Sequence, residues 1–522
     1  MQTGSIMIIN ANVITLDPAR PCAHAVAIAN QTILDVGSTG GILKHATKET
    51  RVVDLHGKTV VPGLIDSHVH MLDFGLSLQQ LDLRNVTSIK ELQANLEEGA
   101  DDTPSCKWVS GGKWDQERLT EKRYPNRWDL DAAVNDKPVF LLRVCGHIGV
   151  ANSKALELAG INRETAHRVD GVDRDESTGE PTGILREGAL QLIRRVMPNL
   201  SLKEVEESCK LACRRAVEAG LTSVNWLLSS ADELRAIHKL HSKGELPVRI
   251  YLGIPARLQQ NLAELGLITG FGNDMVRIGF VKVLVDGSLG GHTAALNKAY
   301  SDRQDTKGMM LYTQRKLNKI VFNAHRAELQ LAIHAIGDRA IEATLKALMK
   351  GLRRLPRENH RHRIEHCSVL NSVLIKRMKR LGVVASVQPH FTVSDFWVLD
   401  RLGKERTRSV YPFKSLLQTG IVVAAGSDCP VEPIDPLLGM WASVARKDSY
   451  GENITPEEAL KMYTLHAAYA SFCEDKKGSV EVGKYADLTV LSDDPRSVPA
   501  EKIKDITIEM VITDGKVVYS RG

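Results

Sequence analysis

The 522-residue sequence has no marked excess of charge of either sign, since 68 Lys and Arg oppose 63 Asp and Glu for a net charge of +5. This balance gives no basis for binding nucleic acid or an anionic membrane surface. Aromatic residues make up only 5% of the chain, but the hydrophobic share of 43% is ordinary for a globular protein. A chain of this length and composition can bury a large core, which excludes a disordered protein.

Long apolar runs and paired cysteines are also absent. No stretch reaches the roughly 18 uninterrupted apolar residues of a membrane helix. The N-terminal segment MQTGSIMIINANVITLD has neither the basic region nor the long apolar region of a signal peptide. The eight cysteines form no CxxC pair, so we interpret them as reduced thiols. We expect a cytoplasmic protein without a nucleic-acid or membrane partner.

Short β-branched runs, broken by Asn and Gly, occur at both ends of the chain. They cover residues 6–15 and 25–36 near the start, and residues 486–491 and 506–519 near the end. An Asp-Gly pair in the last run is typical of a hairpin turn. We predict one small β-sandwich domain built from residues 1–60 and 475–522. The alternative is two unrelated hairpins.

The middle of the chain alternates apolar runs with segments that can form helices. Continuous apolar strands separated by helices are typical of a parallel sheet. Eight runs close a (β/α)8 TIM barrel, which we place at residues 61–474. The predicted strands are residues 60–66, 221–226, 248–254, 278–285, 329–333, 362–365, 383–387 and 421–425.

The first connection of the predicted barrel is too long for one βα unit. Leu221 comes 151 residues after His70, whereas a unit takes roughly 30–40 residues when scaled from a barrel of about 250. We therefore expect an inserted subdomain at about residues 74–200. A loop at this position rises from the C-terminal face of the barrel and can cover the active site. The alternative is a subdomain without substrate contact.

A His-x-His pair follows the first predicted strand, in the segment PGLIDSHVH of residues 62–70. On a strand, residues i and i+2 project to the same side, so His68 and His70 can point together into the barrel mouth. Two imidazoles at close range are typical of a transition-metal site. Paired histidines also occur on surfaces, but the C-terminal end of a barrel strand is where catalytic groups lie.

Further candidate ligands end later strands. His334 ends LQLAIH, His366 ends HRIEH and Asp428 ends IVVAAGSD. Taken singly, a strand-end His is usually a satisfied polar residue, and an Asp after Gly-Ser is usually a turn or helix cap. Together on one rim, these residues predict a metal centre.

Lys282 lies inside the apolar run GFVKVLV, where burying an unpaired ammonium is costly. An ammonium has no lone pair for a cation. The deprotonated amine can instead react with CO₂ to form a carbamate, which is a carboxylate on a long arm that can bridge two cations. The alternative is a lysine that points outward or pairs with a carboxylate such as Asp286.

Six segments of the chain resemble the amidohydrolase superfamily, in the order in which that superfamily carries them. More narrowly, they resemble the branch that contains N-substituted formamide deformylases and related metal-dependent hydrolases. The resemblance extends from about residue 60 to the C-terminus and includes the insertion, through WDLDAAVNDKPVFLLRVCGHIGVANSKALELAGI and GEPTGILRE. The six segments are PGLIDSHVH, FVKVLVDGSLGG, AIHAIGDRA, RIEHC, GSDCPVE and GSVEVGKYADLTVL.

This resemblance implies a centre with two divalent metals. His68 and His70 would bind the more buried metal, and His334 and His366 the more exposed one. Lys282, as a carbamate, would bridge the two. Imidazole and carboxylate ligands suit Zn²⁺, and also Mn²⁺, Fe²⁺ or Ni²⁺.

The resemblance gives Asp428 two roles, as a ligand of the buried metal and as the catalytic proton shuttle. A metal-bridging hydroxide would attack the substrate carbon, and Asp428 would pass the proton to the leaving nitrogen. The implied reaction is hydrolysis of a non-peptide C–N bond in a small amide, formamide, cyclic amide or N-acyl compound. Relatives are often dimers, and nothing in the sequence decides whether this chain forms a homodimer.

Two other functions stay open at this point. One is deamination of a heterocyclic amine with a single metal, although such deaminases usually manage without an equivalent of Lys282. The other is a catalytically silent binding or regulatory protein on the same scaffold, which the six filled ligand positions disfavour. The chain departs from the branch's common pattern at SVNW, residues 223–226, and at His292, where Arg is common. These departures put any transfer of substrate preference in doubt.

Four more residues are candidate substrate contacts. Trp114 and His147 lie in the insertion, Arg339 lies in the GDR run after the fifth strand, and Trp397 follows the seventh strand beside Phe396. Aromatic walls and a few polar groups are typical of small-molecule pockets. For each residue the alternative is local packing or a salt bridge.

Overall fold

A computed structural model describes residues 5–101, 108–144, 146, 148–447 and 450–522. The chain divides into two compact units. One unit comprises Met1–Met71 with Ala212–Gly522, and the other comprises Leu72–Leu211. No helix within the described ranges is long and apolar enough to cross a bilayer.

The strands are short, and several of those in the first unit are buried along their whole length. In the described residues they are β1 Ile6–Ile9, β2 Asn12–Ile14, β3 Cys22–Ala23, β4 Ala25–Ala29, β5 Thr32–Gly37, β6 Arg51–Asp54, β7 Thr59–Pro62, β8 Leu64–Val69, β9 Leu81–Asp82, β10 Val109–Trp114, β11 Val139–Arg143, β12 Ile148–Ala151, β13 Val172–Arg174, β14 Pro181–Arg186, β15 Leu221–Leu227, β16 Arg249–Pro255, β17 Val276–Leu284, β18 Gln330–Ala335, β19 Arg363–His366, β20 Val384–Val387, β21 Val423–Ala425, β22 Leu488–Leu491, β23 Ile508–Thr513 and β24 Lys516–Ser520.

The helices fill the connections between strands, and several begin at a side-chain cap of the type that Asn, Ser, Thr and Asp provide. They are α1 Thr39–Ile42, α2 Met71–Ser77, α3 Ile89–Asp101, α4 Arg127–Ala133, α5 Ser153–Leu158, α6 Arg163–Ala166, α7 Leu190–Arg194, α8 Leu202–Glu218, α9 Ala231–Ser242, α10 Gln259–Glu264, α11 Gln314–Arg326, α12 Asp338–Arg354, α13 Ser372–Leu381, α14 Phe391–Ser394, α15 Val398–Thr407, α16 Phe413–Gln418, α17 Pro436–Val444, α18 Pro456–Met462 and α19 Leu465–Ala470.

Strands from both ends of the chain form two sheets that share one hydrophobic core. The four-stranded sheet has the order β5-β4-β1-β6, and the six-stranded sheet has the order β24-β23-β22-β7-β2-β3. Apolar side chains of both sheets, such as Ile8, Val26, Leu488 and Ile512, pack in the same cluster. The compact-unit division keeps these sheets and the barrel together, so the predicted domain boundaries at residues 60 and 475 stay a prediction.

Eight parallel strands form the sheet of the barrel, in the order β21-β20-β19-β18-β17-β16-β15-β8. The predicted (β/α)8 barrel is therefore confirmed. Five of its eight strands are buried throughout, as expected for a parallel sheet covered by helices on one face and filled on the other.

The first predicted strand is wrong in one respect, because residues 60–66 do not form a single strand. Gly63 separates β7, which belongs to the terminal sheet, from β8, which is the first barrel strand. A Cβ atom at Gly63 would lie 2.3 Å from the Thr222 hydroxyl, so only glycine fits where the chain passes from one sheet to the other. An apolar run of this length does not reveal such a break.

Two backbone hydrogen bonds join the two edge strands of the barrel sheet just beyond their carboxyl ends. The amide of Asp428 donates to the carbonyl of His68 at 2.7 Å, and the amide of His70 donates to the carbonyl of Cys429 at 2.9 Å. The bonds that bring the last strand to the first therefore involve three of the predicted metal ligands.

The second compact unit, Leu72–Leu211, contains the segment predicted as an insertion at residues 74–200. Its sheet has the order β13-β14-β12-β11-β10-β9. It has two hydrophobic clusters of its own, one around Trp114, Leu130 and Leu141 and the other around Leu156 and Leu185.

A chain of neutral histidines lies beside the starts of β18 and β19. The Nδ1 atom of His362 accepts a hydrogen bond from the amide of Leu331 at 3.1 Å, and its Nε2 atom lies 2.9 Å from Nδ1 of His325. His325 and His360 each donate from Nε2 to a backbone carbonyl at 2.7 Å. Since the accepting nitrogens face donors, a proton added to any of these rings would break a hydrogen bond.

We expect this cluster to make the fold acid-sensitive. Burial lowers the pKa of His360 to about 4 and that of His362 well below its usual value. A depressed histidine pKa contributes stability that is complete above the unfolded pKa of about 6.5 and is lost as the pH falls towards the folded value. A His360→Gln variant should therefore lose less free energy of unfolding between pH 7 and pH 4 than the wild type, by about 3 kcal/mol.

Urea denaturation at the two pH values measures this difference. His56→Gln, at an exposed histidine, is the matched control. It should lose as much free energy of unfolding between pH 7 and pH 4 as the wild type. An equal loss of free energy of unfolding in the wild type and the His360→Gln variant would contradict the assignment of acid sensitivity to His360.

Candidate metal centre

The six predicted ligands lie at or near the carboxyl ends of five barrel strands. β8 carries His68, and His70 follows its last residue. The others lie in β17, in β18, at the end of β19 and shortly after β21, and they are Lys282, His334, His366 and Asp428.

The tightest group comprises His68, His70 and Asp428. The Nε2 atoms of both histidines lie 3.3 Å from Oδ1 of Asp428. Potential ligand atoms of the three residues all lie within 4.8 Å of one another, a spacing that can hold one metal ion. The strand periodicity predicted a shared direction for the two histidines of this group, and both approach the same carboxylate oxygen.

The remaining three predicted ligands adjoin this group. The amine nitrogen of Lys282 lies 3.0 Å from Nε2 of His68. The ring of His366 lies 5.0 Å from that of His68 and 4.4 Å from that of His334, centroid to centroid. The structure thus brings all six residues into one cluster at the barrel mouth.

Lys282 is buried in this cluster, with 8% of its surface exposed. Burial lowers its pKa to about 8, against the opposing effect of the Glu365 and Asp428 carboxylates. A lowered pKa increases the share of neutral amine near neutral pH, and the neutral amine is the form that can add CO₂. The interpretation of Lys282 as an outward-pointing side chain is wrong.

The alternative pairing of Lys282 with Asp286 is also wrong. The Asp286 carboxylate accepts hydrogen bonds from the amides of Ala295, Ile336 and Gly337, at 2.9, 3.1 and 2.9 Å. Burial nevertheless raises its pKa to about 7. Through its three hydrogen bonds, Asp286 fixes the loop that follows β17 and the turn that follows β18.

His68, His366 and His334 each have one ring nitrogen held by an oxygen atom. Nδ1 of His68 contacts Glu365, Nδ1 of His366 lies 2.7 Å from Oε1 of Gln388, and Nε2 of His334 lies 3.1 Å from a backbone carbonyl. An oxygen acceptor places the proton on the nitrogen that it faces, so the other nitrogen keeps its lone pair. Burial also lowers the pKa of His334 to about 3 and that of His366 well below its usual value, which keeps both rings neutral.

Glu365 is held by a buried ion pair. Arg363 donates to both of its carboxylate oxygens, at 2.6 and 2.9 Å, and neither side chain is exposed. Burial by itself would raise the pKa of Glu365, but Arg363 and His68 hold it well below its usual range. Arg363 also donates to the Ser67 carbonyl, which ties the pair to the strand that carries His68.

Asp428 is ionised in this environment. Burial opposes its charge, but the imidazoles of His68 and His70 hold its pKa well below its usual range. Its backbone φ of +59° and the +72° of His366 lie in the left-handed region that non-glycine residues seldom adopt. Such conformations cost roughly 1–3 kcal/mol each and cluster at functional sites.

The donor set fits divalent transition metals. It combines four imidazoles, of which burial keeps those of His334 and His366 neutral, with an ionised carboxylate and a lysine amine whose pKa is about 8. Nitrogen and oxygen donors of this kind suit Zn²⁺ and its neighbours. The model of the amidohydrolase family matches residues 51–519. The chain belongs to the amidohydrolase family.

Individual relatives of this amidohydrolase agree with that assignment. Protein YtcJ of Bacillus subtilis (strain 168) is 34% identical, with 96% of each chain covered. The N-substituted formamide deformylase of Arthrobacter pascens is 28% identical over 100% of this chain and 99% of its own. The crystal structure of an uncharacterized metal-dependent hydrolase from Pyrococcus furiosus is 32% identical with a TM-score of 0.80, and it covers 94% of this chain and 100% of that one. The prediction of a metal-dependent hydrolase of this family is confirmed.

Sequence reasoning missed the residues that orient the amidohydrolase ligands. These are Arg363, Glu365 and Gln388. One signal was present, because Arg363 and Glu365 are two charged residues two apart in a predicted barrel strand, so both side chains point to the same side of it. Gln388 gave no such signal, since a polar residue after a strand is ordinary.

The four predicted substrate contacts have different surroundings. Trp114 is fully buried in the core of the insertion, where its indole nitrogen donates to the Leu141 carbonyl at 3.4 Å, so it has a packing role. Arg339 is exposed in the first turn of α12. Trp397 packs against Gly290, where an added Cβ would lie 2.9 Å from its ring. His147 lies outside the described residues.

The positions that depart from the common pattern make structural contacts. The side-chain oxygen of Asn225 accepts a hydrogen bond from the Ser471 hydroxyl at 3.2 Å. His292 lies 3.1 Å from the Asp302 carboxylate, and its ring packs edge-on against Tyr300 at 4.9 Å.

Removing the charge of Glu365 should weaken metal binding. In a Glu365→Gln variant the amide can no longer favour the His68 tautomer as strongly, so we expect a 10- to 100-fold (roughly) lower metal affinity. Metal titration of the apoprotein with a competing chelator measures this change.

Glu342→Gln is the control for that titration, because Glu342 pairs with Lys346 on the surface of α12 at 3.1 Å. It should bind metal like the wild type. Unchanged affinity in a folded Glu365→Gln protein would show that Glu365 does not orient the ligand.

Proposed function

We propose that this amidohydrolase hydrolyses a C–N bond outside a peptide chain, in a small amide, formamide, cyclic amide or N-acyl compound. The observation that carries the proposal is the convergence of Lys282 on His68 at 3.0 Å, beside a carboxylate that contacts two histidines. The full-length similarity to an N-substituted formamide deformylase supports the bond type.

We propose two divalent cations per chain, with Zn²⁺ as the metal that these donors suit best. His68, His70 and Asp428 would hold one cation, and His334 and His366 would hold the other. When bound, the cations supply a water that ionises near neutral pH and an electrophile for the substrate carbonyl.

Lys282 would contribute the bridge between the two sites. Its neutral amine nitrogen forms a bond to the carbon of CO₂ and releases one proton, which gives a carbamate with two oxygen donors. The pKa of about 8 supports this step, because it leaves roughly a tenth of the amine uncharged at pH 7, far more than for an ordinary lysine.

Asp428 would move the proton of the reaction. Its carboxylate is ionised, so it can accept a proton from the attacking water and return it to the leaving nitrogen. The same side chain lies 3.3 Å from each of two histidine nitrogens, which fixes its position for both steps.

Other parts of the proposal concern the surroundings of the enzyme. Trp397 and Arg339 would contact a small-molecule substrate from the segments after the seventh and fifth strands. The enzyme would act in the cytoplasm, in keeping with cysteines that form no disulfide among the described residues, and no nucleic acid or membrane would take part. A homodimer is the assembly that we propose.

The position of Lys282 counts against the one-metal deaminase. A buried lysine in contact with a ligand histidine has no role in a single-metal centre and would add an unfavourable positive charge to it. The silent scaffold is also disfavoured, since all six candidate ligands lie in one cluster.

The two-metal proposal predicts the behaviour of a Lys282→Ala variant. Wild-type protein purified with bicarbonate should hold two metal ions per chain, by elemental mass spectrometry. The variant should hold fewer and lose activity on the amide panel, because the bridge is missing, and short carboxylic acids should restore part of both. Lys477→Met, at a buried lysine that donates to Ser223 at 2.7 Å, is the control. Full activity of the Lys282→Ala variant would rule out the bridge.

Replacing Asp428 tests the proton transfer. Asp428→Asn should lower kcat by about 10²–10⁴-fold, because an amide cannot accept the proton. Asp435→Asn, at the carboxylate that caps α17, should keep most of the activity. Steady-state kinetics with metal content measured in parallel separates lost chemistry from lost metal, and normal turnover by Asp428→Asn would place the proton shuttle elsewhere.

A further inference from the structure

A second histidine with a carboxylate partner lies beside the proposed metal centre. His390 comes two residues after Gln388, the residue that contacts His366, in the segment that follows β20. The next residue, Phe391, stacks on the ring of His366 with 6.3 Å between centroids and 29° between planes. The segment around His390 therefore lies against one of the proposed ligands.

The carboxylate partner comes from the neighbouring connection. Glu432 lies four residues after Asp428, and one of its oxygens contacts Nδ1 of His390. Its other oxygen accepts a hydrogen bond from the Ser394 hydroxyl at 2.5 Å. Glu432 is nearly buried, with 7% of its side chain exposed, whereas 19% of the His390 side chain is exposed.

The contact with Glu432 defines which ring nitrogen of His390 can accept a hydrogen bond. A carboxylate on Nδ1 places the proton there and leaves the lone pair on Nε2. Across the described part of the chain, Glu432 is the only hydrogen-bond partner of the His390 side chain. Nε2 is therefore an oriented acceptor without a protein donor, on a partly exposed ring at the rim that carries the metal ligands.

We propose that Nε2 of His390 accepts a hydrogen bond from an N–H group of the substrate, with Glu432 and Ser394 as positioning residues. This inference rests on the proposed function, and it narrows the substrate class to amides that keep a hydrogen on nitrogen. Secondary amides and N-monosubstituted formamides have that donor, whereas N,N-disubstituted amides do not. An acceptor left without its donor on binding selects against the second class.

A matched pair of probes tests the inference on the metal-loaded, full-length protein. N-butylformamide and N-butyl-N-methylformamide differ in the N–H group. We expect the wild type to prefer N-butylformamide by at least about tenfold in kcat/KM, the effect of leaving one acceptor unpaired. In His390→Ala the preference should fall to about that of the free compounds in solution, and His390→Gln, whose oxygen can accept in place of Nε2, should restore part of it.

Glu432→Gln and a control complete the set of variants. An amide can present either an acceptor or a donor to Nδ1, so Glu432→Gln should reduce the preference without removing it. His45→Ala removes another histidine with a carboxylate partner, Asp35 at 3.0 Å, and should keep the wild-type preference. Metal content and Tm are measured for every variant, because a loss of structure lowers both rates together and leaves their ratio unchanged.

The outcomes separate the two proposals. If the wild type hydrolyses both probes and His390→Ala keeps the full preference for N-butylformamide, the role of His390 is overturned. The proposed function is then left intact. If the wild type hydrolyses neither probe, formamide hydrolysis fails, and calorimetric binding of the same pair then decides on His390. A binding preference that His390→Ala abolishes supports the contact, and equal binding or no binding overturns it.

Discussion

The ion pair of Arg363 and Glu365 is the interaction on which the proposed metal centre depends. Both side chains are fully buried in the barrel interior, where either charge alone would be strongly unfavourable. Oε2 of Glu365 accepts from Arg363 and also contacts His68, and Nη2 of Arg363 donates both to Glu365 and to the carbonyl of Ser67 on the strand that carries His68. A buried pair of this kind gives little net stability, so its consequence here is orientation, because the contacts of Glu365 with Arg363 and with His68 fix the direction of the His68 ring.

Closure of the barrel and assembly of the centre depend on the same few residues. The backbone of His68 and His70 bonds to the backbone of Asp428 and Cys429, and the side chains of the first three form the tightest cluster. Asp428 adopts its left-handed backbone conformation at this junction. The fold thus holds an unfavourable conformation where two ends of one sheet meet, and that conformation directs the carboxylate towards both histidines.

The sequence revealed the fold and the ligand cluster because both follow from position along a strand. A polar residue that ends an apolar run can be recognised without knowing its neighbours, as His334 and His366 show. Partners on neighbouring strands cannot be recognised in this way. The contact of Gln388 with His366, for example, depends on the register between two strands that are separate in sequence. The break at Gly63 was missed for a related reason, since only the close approach of Thr222 shows that the run passes between two sheets.

In the two proposals, orientation of the ligands and choice of substrate would be carried by different parts of the barrel. Glu365 and Gln388 act from within or just beyond buried strands, so a change at either would disturb the metal centre itself. His390 and Trp397 lie farther along the connections, and both are partly exposed. Changes there can alter which amide is accepted while the buried acceptors of the metal ligands stay in place. Such a division explains how one metal centre can serve enzymes of the family that differ in substrate.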